Sequence, residues 1–130
     1  MIVLDASVAL ELILTTPDGT RAAARLREIE EPLQAPHLID IEVLHVLRRI
    51  EGAGGITSAR ARTALGDFAN LAIRRHEHAI LTDRIWKLRA NLTAYDAAYV
   101  ALAEALDAPL LTLDARLARS KGHRARIELV

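Results

Sequence analysis

Two short apolar runs, Met1-Ile2-Val3-Leu4 and Leu110-Leu111-Thr112-Leu113, are each closed by an aspartate, Asp5 and Asp114. Runs of this length with branched side chains and no polar alternation are apolar on both faces, as strands buried within a parallel sheet are. Parallel strands need long crossover connections, so the chain between them must supply helices. Open sheets of this kind bind ligands at the carboxyl ends of their strands. That is where Asp5 and Asp114 fall.

The helices are legible from spacing. A first helix is expected over 6–14, where only Ser7 and Glu11 are polar, with Pro17-Asp18-Gly19 as the turn that closes it. A second, over 20–31, repeats Ala22, Ala23, Leu26 and Ile29 at helical intervals. A short strand over 33–35 precedes a strong amphipathic helix over 37–51 with Ile39, Val43, Val46, Leu47 and Ile50 on one face, ended by Gly52-Ala53-Gly54-Gly55. Thr57 or Ser58 can cap the next helix, which would pack through Leu65, Phe68, Ala69 and Leu71. A brief strand over 73–76, a helix over 79–90 with Ile80, Ile85, Trp86 and Leu88, and a Thr93-capped helix over 94–106 with a Tyr95, Tyr99, Leu102 and Leu106 stripe follow. After the strand at 110–113, a short basic helix and a last strand over 127–130 complete the chain. Strands alternating with helices predict an α/β fold, a three-layer α/β/α sandwich around a mostly parallel central sheet. At 130 residues, a single domain over 1–130 is expected.

Composition narrows the chemistry. With no cysteine, thiolate zinc sites, disulfides and thiol nucleophiles are excluded, leaving oxygen and nitrogen groups. The 52% apolar fraction leaves room for a buried subunit interface. Acidic residues interrupt every hydrophobic stretch and no basic region precedes the first, so neither a membrane span nor a secretory signal is indicated and the cytoplasm is the expected location. Net charge is zero, yet every charged residue between 115 and 127 is basic: Arg116, Arg119, Lys121, Arg124 and Arg126.

Four carboxylates lie in otherwise apolar sequence: Asp5, Glu42, Asp96 and Asp114. Each has a plain alternative. Asp5 and Asp114 can cap the helices that follow them, and Asp96 completes a Thr-x-x-Asp capping pattern with Thr93. Glu42 has Leu38, Ile39, His45 and Val46 as helical neighbours, and its alternative is an ion pair with Arg48 or Arg49. Asp40 is the competing acid on that helix and is expected to be the more exposed. The four together are compatible with one edge of one sheet, which unrelated caps have no reason to share. Like charges about 4 Å apart repel by roughly 4 kcal/mol at an effective dielectric near 20, so converging acids call for a cation. An all-oxygen set suits a hard cation that keeps several waters.

Other constellations are weaker. His76 and His78 flank Glu77 at a spacing that could place two imidazoles on one strand face, as a metal pair or as exposed loop. Ser7 lacks the Gly-x-Ser-x-Gly surroundings of an acyl-transfer nucleophile.

Taken in order, Ile-Val-Leu-Asp-Ala-Ser (2–7), Ile-Asp-Ile-Glu-Val-Leu (39–44), Thr-Ala-Tyr-Asp-Ala-Ala-Tyr-Val-Ala-Leu-Ala (93–103) and Leu-Leu-Thr-Leu-Asp-Ala-Arg-Leu (110–117) resemble the PIN domains of VapC-type toxins. The resemblance implies a Mg²⁺- or Mn²⁺-dependent endoribonuclease whose catalytic and metal-binding acids are Asp5, Glu42, Asp96 and Asp114, with Ser7 and Thr112 as supporting hydroxyls. It also implies a homodimer and a small antitoxin that blocks the site and binds operator DNA, so that DNA is contacted only through that partner. Within this frame Glu42 or Asp114 could orient or deprotonate the attacking water. Arg116, Arg119 and Lys121 are the candidates for gripping the RNA backbone, against a reading as plain solvated surface. Few aromatic residues are present, so recognition should lean on backbone charge and RNA shape. The rivals are a non-enzymatic receiver-like domain and a catalytically silent scaffold of the same fold that only binds its partner. A receiver-like site needs a lysine at a late strand end, and the chain has only Lys87 and Lys121.

Overall fold

A computed structural model describes residues 1–14, 17–28 and 30–130, with the side chains of 17–20 left aside. Among the described residues, five parallel strands form one sheet in the order β3-β2-β1-β4-β5. They are β1 (Ile2–Leu4), β2 (Leu33–Pro36), β3 (Ile73–His76), β4 (Leu110–Thr112) and β5 (Ile127–Leu129). The helices are α1 (Ala6–Leu14), α2 (Pro17–Arg27), α3 (Leu38–Gly52), α4 (Ser58–Asn70), α5 (Thr82–Lys87), α6 (Ala94–Leu106) and α7 (Ala115–Ala118).

From β1 the chain winds outward through β2 to β3, then returns across the sheet to lay β4 on the other side of β1. The direction of winding therefore reverses between β1 and β4, which is where open α/β sheets place their ligands, beyond the strand ends. α1 packs on α2, α3 and α4, while α6 packs on α5 and lies against β1, β2 and β4. The apolar strands are buried as expected, since Ile2, Val3, Leu4, Leu110 and Leu111 are sealed in the core.

Three expectations are corrected. Pro17-Asp18-Gly19 does not form a closing turn but opens α2, because a helix's first position needs no N–H and suits proline's fixed φ. Ile29, placed on the second helix, lies outside the described residues. The helix expected over 79–90 is a 3₁₀ turn, Ala79–Leu81, followed by the short α5, and Ile80 and Trp86 stand on the surface. The stripe expected on α6 is instead burial all round, from Ala97 to Ala103, with Tyr95 exposed. Four alanines in that stretch let neighbouring elements approach closely, so a hydrophobic sector cannot be read from its spacing. Thr57 is the observed cap of α4, its Oγ1 accepting the Arg60 N–H at 3.0 Å.

Candidate active site

Asp5 follows the last residue of β1, and its backbone N–H donates to the Leu111 carbonyl at 3.0 Å, holding it beside the end of β4. One carboxylate oxygen, Oδ2, accepts the Thr112 hydroxyl at 2.6 Å and the Ser7 hydroxyl at 3.0 Å. Each hydroxyl is itself fixed: Ser7 Oγ accepts the Leu113 N–H at 3.1 Å, and Thr112 Oγ1 accepts the Asp114 N–H at 3.0 Å. Oδ1 has a long 3.5 Å contact from the Ser7 N–H. The carboxylate is thus oriented from one side, through hydroxyls supplied by α1 and β4. Ser7 and Thr112, the two hydroxyls singled out from sequence, thus both bond to Asp5.

Glu42 comes from the second turn of α3. Its Oε1 accepts the Tyr99 hydroxyl from α6 at 2.7 Å, so neither Arg48 nor Arg49 is its partner. Burial pushes its carboxyl above the ordinary range, the Tyr99 hydrogen bond pulls it down, and the charges of Asp5 and Asp96 push it up again. Asp40, by contrast, is half-buried and committed to Arg75, whose Nε reaches both of its carboxylate oxygens at 2.9 Å.

Asp96 lies in the first turn of α6, where its N–H donates to Thr93 Oγ1 at 3.2 Å. The expected cap therefore exists, with the backbone N–H of Asp96 as the donor. Burial raises the affinity of that carboxylate for a proton, as do the charges of Asp5 and Asp114, while Arg116 and Thr93 oppose them. Asp114 divides its roles. Its Oδ1 caps α7, accepting the Arg116 and Leu117 N–H groups at 2.8 and 3.3 Å, while Oδ2 stands 3.5 Å from the Arg116 guanidinium.

Mutual repulsion among the acids is the electrostatic mark of a shared neighbourhood: Glu42 responds to Asp5 and Asp96, and Asp96 to Asp5 and Asp114. Among the described residues, no three carboxylate or imidazole groups converge tightly enough to form a finished ligand cage.

The basic run after Asp114 does not act as one patch. Arg116 joins the acids, 3.6 Å from Asp96 and 3.5 Å from Asp114. Arg119 and Lys121 are exposed beyond α7. Arg124 and Arg126 turn to Glu104 and Asp107 at the far end of α6, roughly 12 Å or more along the helix from Asp96 at 1.5 Å per residue. The histidines are also spoken for. His76 Nε2 pairs with Gln34 at 2.6 Å, and His78 Nε2 accepts the Leu38 N–H at 2.9 Å. Lys87 pairs with Asp83 on its own helix, and Lys121 is not at a strand end, which removes the receiver-like arrangement.

One contributor was not evident from sequence. Tyr99 stands in the apolar stripe of the sequence and is 1% exposed, yet its hydroxyl is the polar partner of Glu42. Its position three residues after Asp96 puts both on one face of α6, a signal that was available. Burial and Glu42 together push the phenol far above its ordinary range, so it remains a donor.

Residues 2–122 match the PIN domain family. Across all 130 residues the chain is 46% identical to Ribonuclease VapC12 of Mycobacterium tuberculosis, covering 100% of this chain and 99% of the relative. This chain is a PIN-domain protein of the VapC family. A second VapC relative, Ribonuclease VapC9 of M. tuberculosis, is 47% identical over 117 residues, covering 90% of this chain and 88% of that one. The VapC fold is seen in VapBC2 of Rickettsia felis, solved with a promoter DNA fragment (TM-score 0.73, 16% identity, 99% of this chain and 98% of that chain). VapC20 of M. tuberculosis, described as a sarcin-ricin loop cleaving toxin, shares it too, at TM-score 0.70 and 14% identity over 91% of this chain and 93% of its own.

Proposed function

We propose that this chain is a divalent-metal-dependent endoribonuclease that hydrolyses RNA phosphodiester bonds as the toxin of a toxin–antitoxin pair. The observation that carries this reading is that Glu42, Asp96 and Asp114 lie within one another's or Asp5's electrostatic reach near the ends of β1 and β4, with Asp5 oriented by Ser7 and Thr112. VapC relatives that match the whole chain and are named ribonucleases support the substrate class.

The donor set fits Mg²⁺ or Mn²⁺: it is oxygen only, and burial together with the neighbouring carboxylates makes Glu42 and Asp96 hold protons more tightly than isolated carboxylates do. Asp5 and Asp96 would hold the ion, with Glu42 and Asp114 beside it. When bound, such an ion acidifies a water and neutralises charge on the attacked phosphate. Glu42, whose affinity for a proton the Tyr99 hydrogen bond lowers against the effect of burial, would orient the attacking water and accept its proton. Thr112 and Ser7 fix the Asp5 carboxylate so that it need not reorganise. Arg116 is the candidate for the substrate phosphate, with Arg119 and Lys121 further along the backbone. An antitoxin partner, a homodimer and a cytoplasmic location belong to the same reading. Among the described residues, no helix is long and apolar enough to cross a membrane.

The test is cleavage of mixed RNA by purified protein with Mg²⁺, with chelator, and as Asp5→Asn and Asp96→Asn. Cleavage should require the ion and disappear in both variants. Undiminished cleavage in either variant, or in chelator, refutes the assignment.

A further inference from the structure

Arg116 occupies an unusual position for a residue expected to grip RNA. Its Nη2 stands between two acids of the site, 3.6 Å from Asp96 Oδ2 and 3.5 Å from Asp114 Oδ2. Those separations are too long for directed hydrogen bonds, so charge rather than geometry holds the guanidinium there. Its side chain is 76% exposed, against 28% for Asp96 and 36% for Asp114. The backbone, however, is anchored: the Arg116 N–H donates to Asp114 Oδ1 at 2.8 Å in the first turn of α7. A fixed base and a loosely held, solvated head make a pivot.

We infer that Arg116 is a resident counter-cation of the acid site, which a divalent ion must displace and which, once displaced, turns to the substrate phosphate. This rests on the metal-dependent reading above and adds an order of events to it. Without the ion, the guanidinium relieves the repulsion between Asp96 and Asp114. With an ion held by Asp5 and Asp96, and Asp114 beside it, the guanidinium would be repelled and no longer needed to balance these acids. The freed guanidinium, its backbone anchored at the start of α7, would then turn to an anion beside the acids, and a phosphodiester offers two oxygens to its planar fork. Substrate binding and metal loading are then coupled through one side chain, because each occupies a group the other leaves free.

The experiment uses the full chain as wild type, Arg116→Gln and Arg116→Lys. Mn²⁺ affinity is measured by electron paramagnetic resonance of the free ion, and RNA affinity with a mixed-sequence phosphorothioate RNA at saturating Mn²⁺. Gln at 116 should tighten Mn²⁺ by about threefold or more, since a competing positive charge has gone. The same variant should bind the RNA more weakly and lower the salt dependence of that binding by about one ion. Lys at 116, which keeps the charge, should stay close to wild type in the Mn²⁺ measurement. In chelator, Arg116→Gln should melt at lower temperature than wild type, with a larger gain on adding Mn²⁺. Unchanged or weaker Mn²⁺ binding in Arg116→Gln overturns the inference. Tighter Mn²⁺ with unaltered RNA affinity overturns the exchange of partners. If the wild type bound no Mn²⁺ at all, the metal-dependent reading itself would fail, which is a separate outcome.

Discussion

Replacing Tyr99 by Phe removes one oxygen from an otherwise intact core, and its consequences follow from a single hydrogen bond. The ring is 1% exposed and stays packed, so no cavity opens. What is lost is the 2.7 Å bond to Glu42 Oε1, a bond to an ionised carboxylate in a half-buried place. Hydrogen bonds to charged groups contribute about 1.5–3 kcal/mol, and water can partly replace the donor here, so the loss should be about 1.5–2 kcal/mol at neutral pH. For a domain of this size that corresponds to a fall in Tm of about 5–8 °C. The pH dependence gives the sharper test. Because the Tyr99 bond lowers the Glu42 pKa, its removal lets burial and the neighbouring acids raise that pKa further in the folded state. The stability deficit of the variant must therefore be small below the Glu42 titration, where the bond joins neutral groups, and grow as pH rises through it. The acid limb of kcat/KM should move to higher pH in parallel. Urea unfolding in chelator from about pH 4 to 8, with a pH–rate profile in Mg²⁺, reads both. A deficit that does not vary with pH, with an unmoved acid limb, would show that Tyr99 only fills space.

Thr112→Val removes a buried hydroxyl that serves both Asp5 and the Asp114 N–H, and should cost about 2–4 kcal/mol in chemical denaturation while weakening Mn²⁺ binding. Asp114→Ala should lose about 1 kcal/mol with the cap of α7, whereas Asp114→Asn keeps the cap and loses only the charge. Full activity in the Asn variant would confine Asp114 to capping. Glu104, 4% exposed, is gripped by Arg84 at 2.6 and 2.9 Å, and Glu104→Gln should cost about 3 kcal/mol at neutral pH. Its pKa is held below the ordinary 4.5, chiefly by Arg84, so that stability is present above the ordinary value and lost as pH falls through the folded one. The Glu104→Gln deficit should accordingly shrink in acid, and a deficit as large at pH 3 as at pH 7 would contradict the ion-pair account.

Local pattern carried much of this protein. A strand that is apolar on both faces needs only its own few residues to declare itself, which is why Ile2–Leu4 and Leu110–Thr112 and the acids that end them were readable in advance. α3 and α6 were likewise legible, one from its periodicity and the other from its Thr93 cap. The opening of α2 at Pro17 was misread because the same residues serve turns and helix starts, and only the following chain decides between them. Tertiary structure alone decided that β1 and β4 are neighbours, which brings Asp5 under Thr112 from 107 residues away. It likewise decided that Tyr99 meets Glu42, that Asp40 goes to Arg75, and that Arg116 leaves its basic neighbours to join the acids. The reason is physical: backbone periodicity and capping act within a turn or a strand, whereas strand order and charge pairing depend on which distant surfaces the core brings face to face.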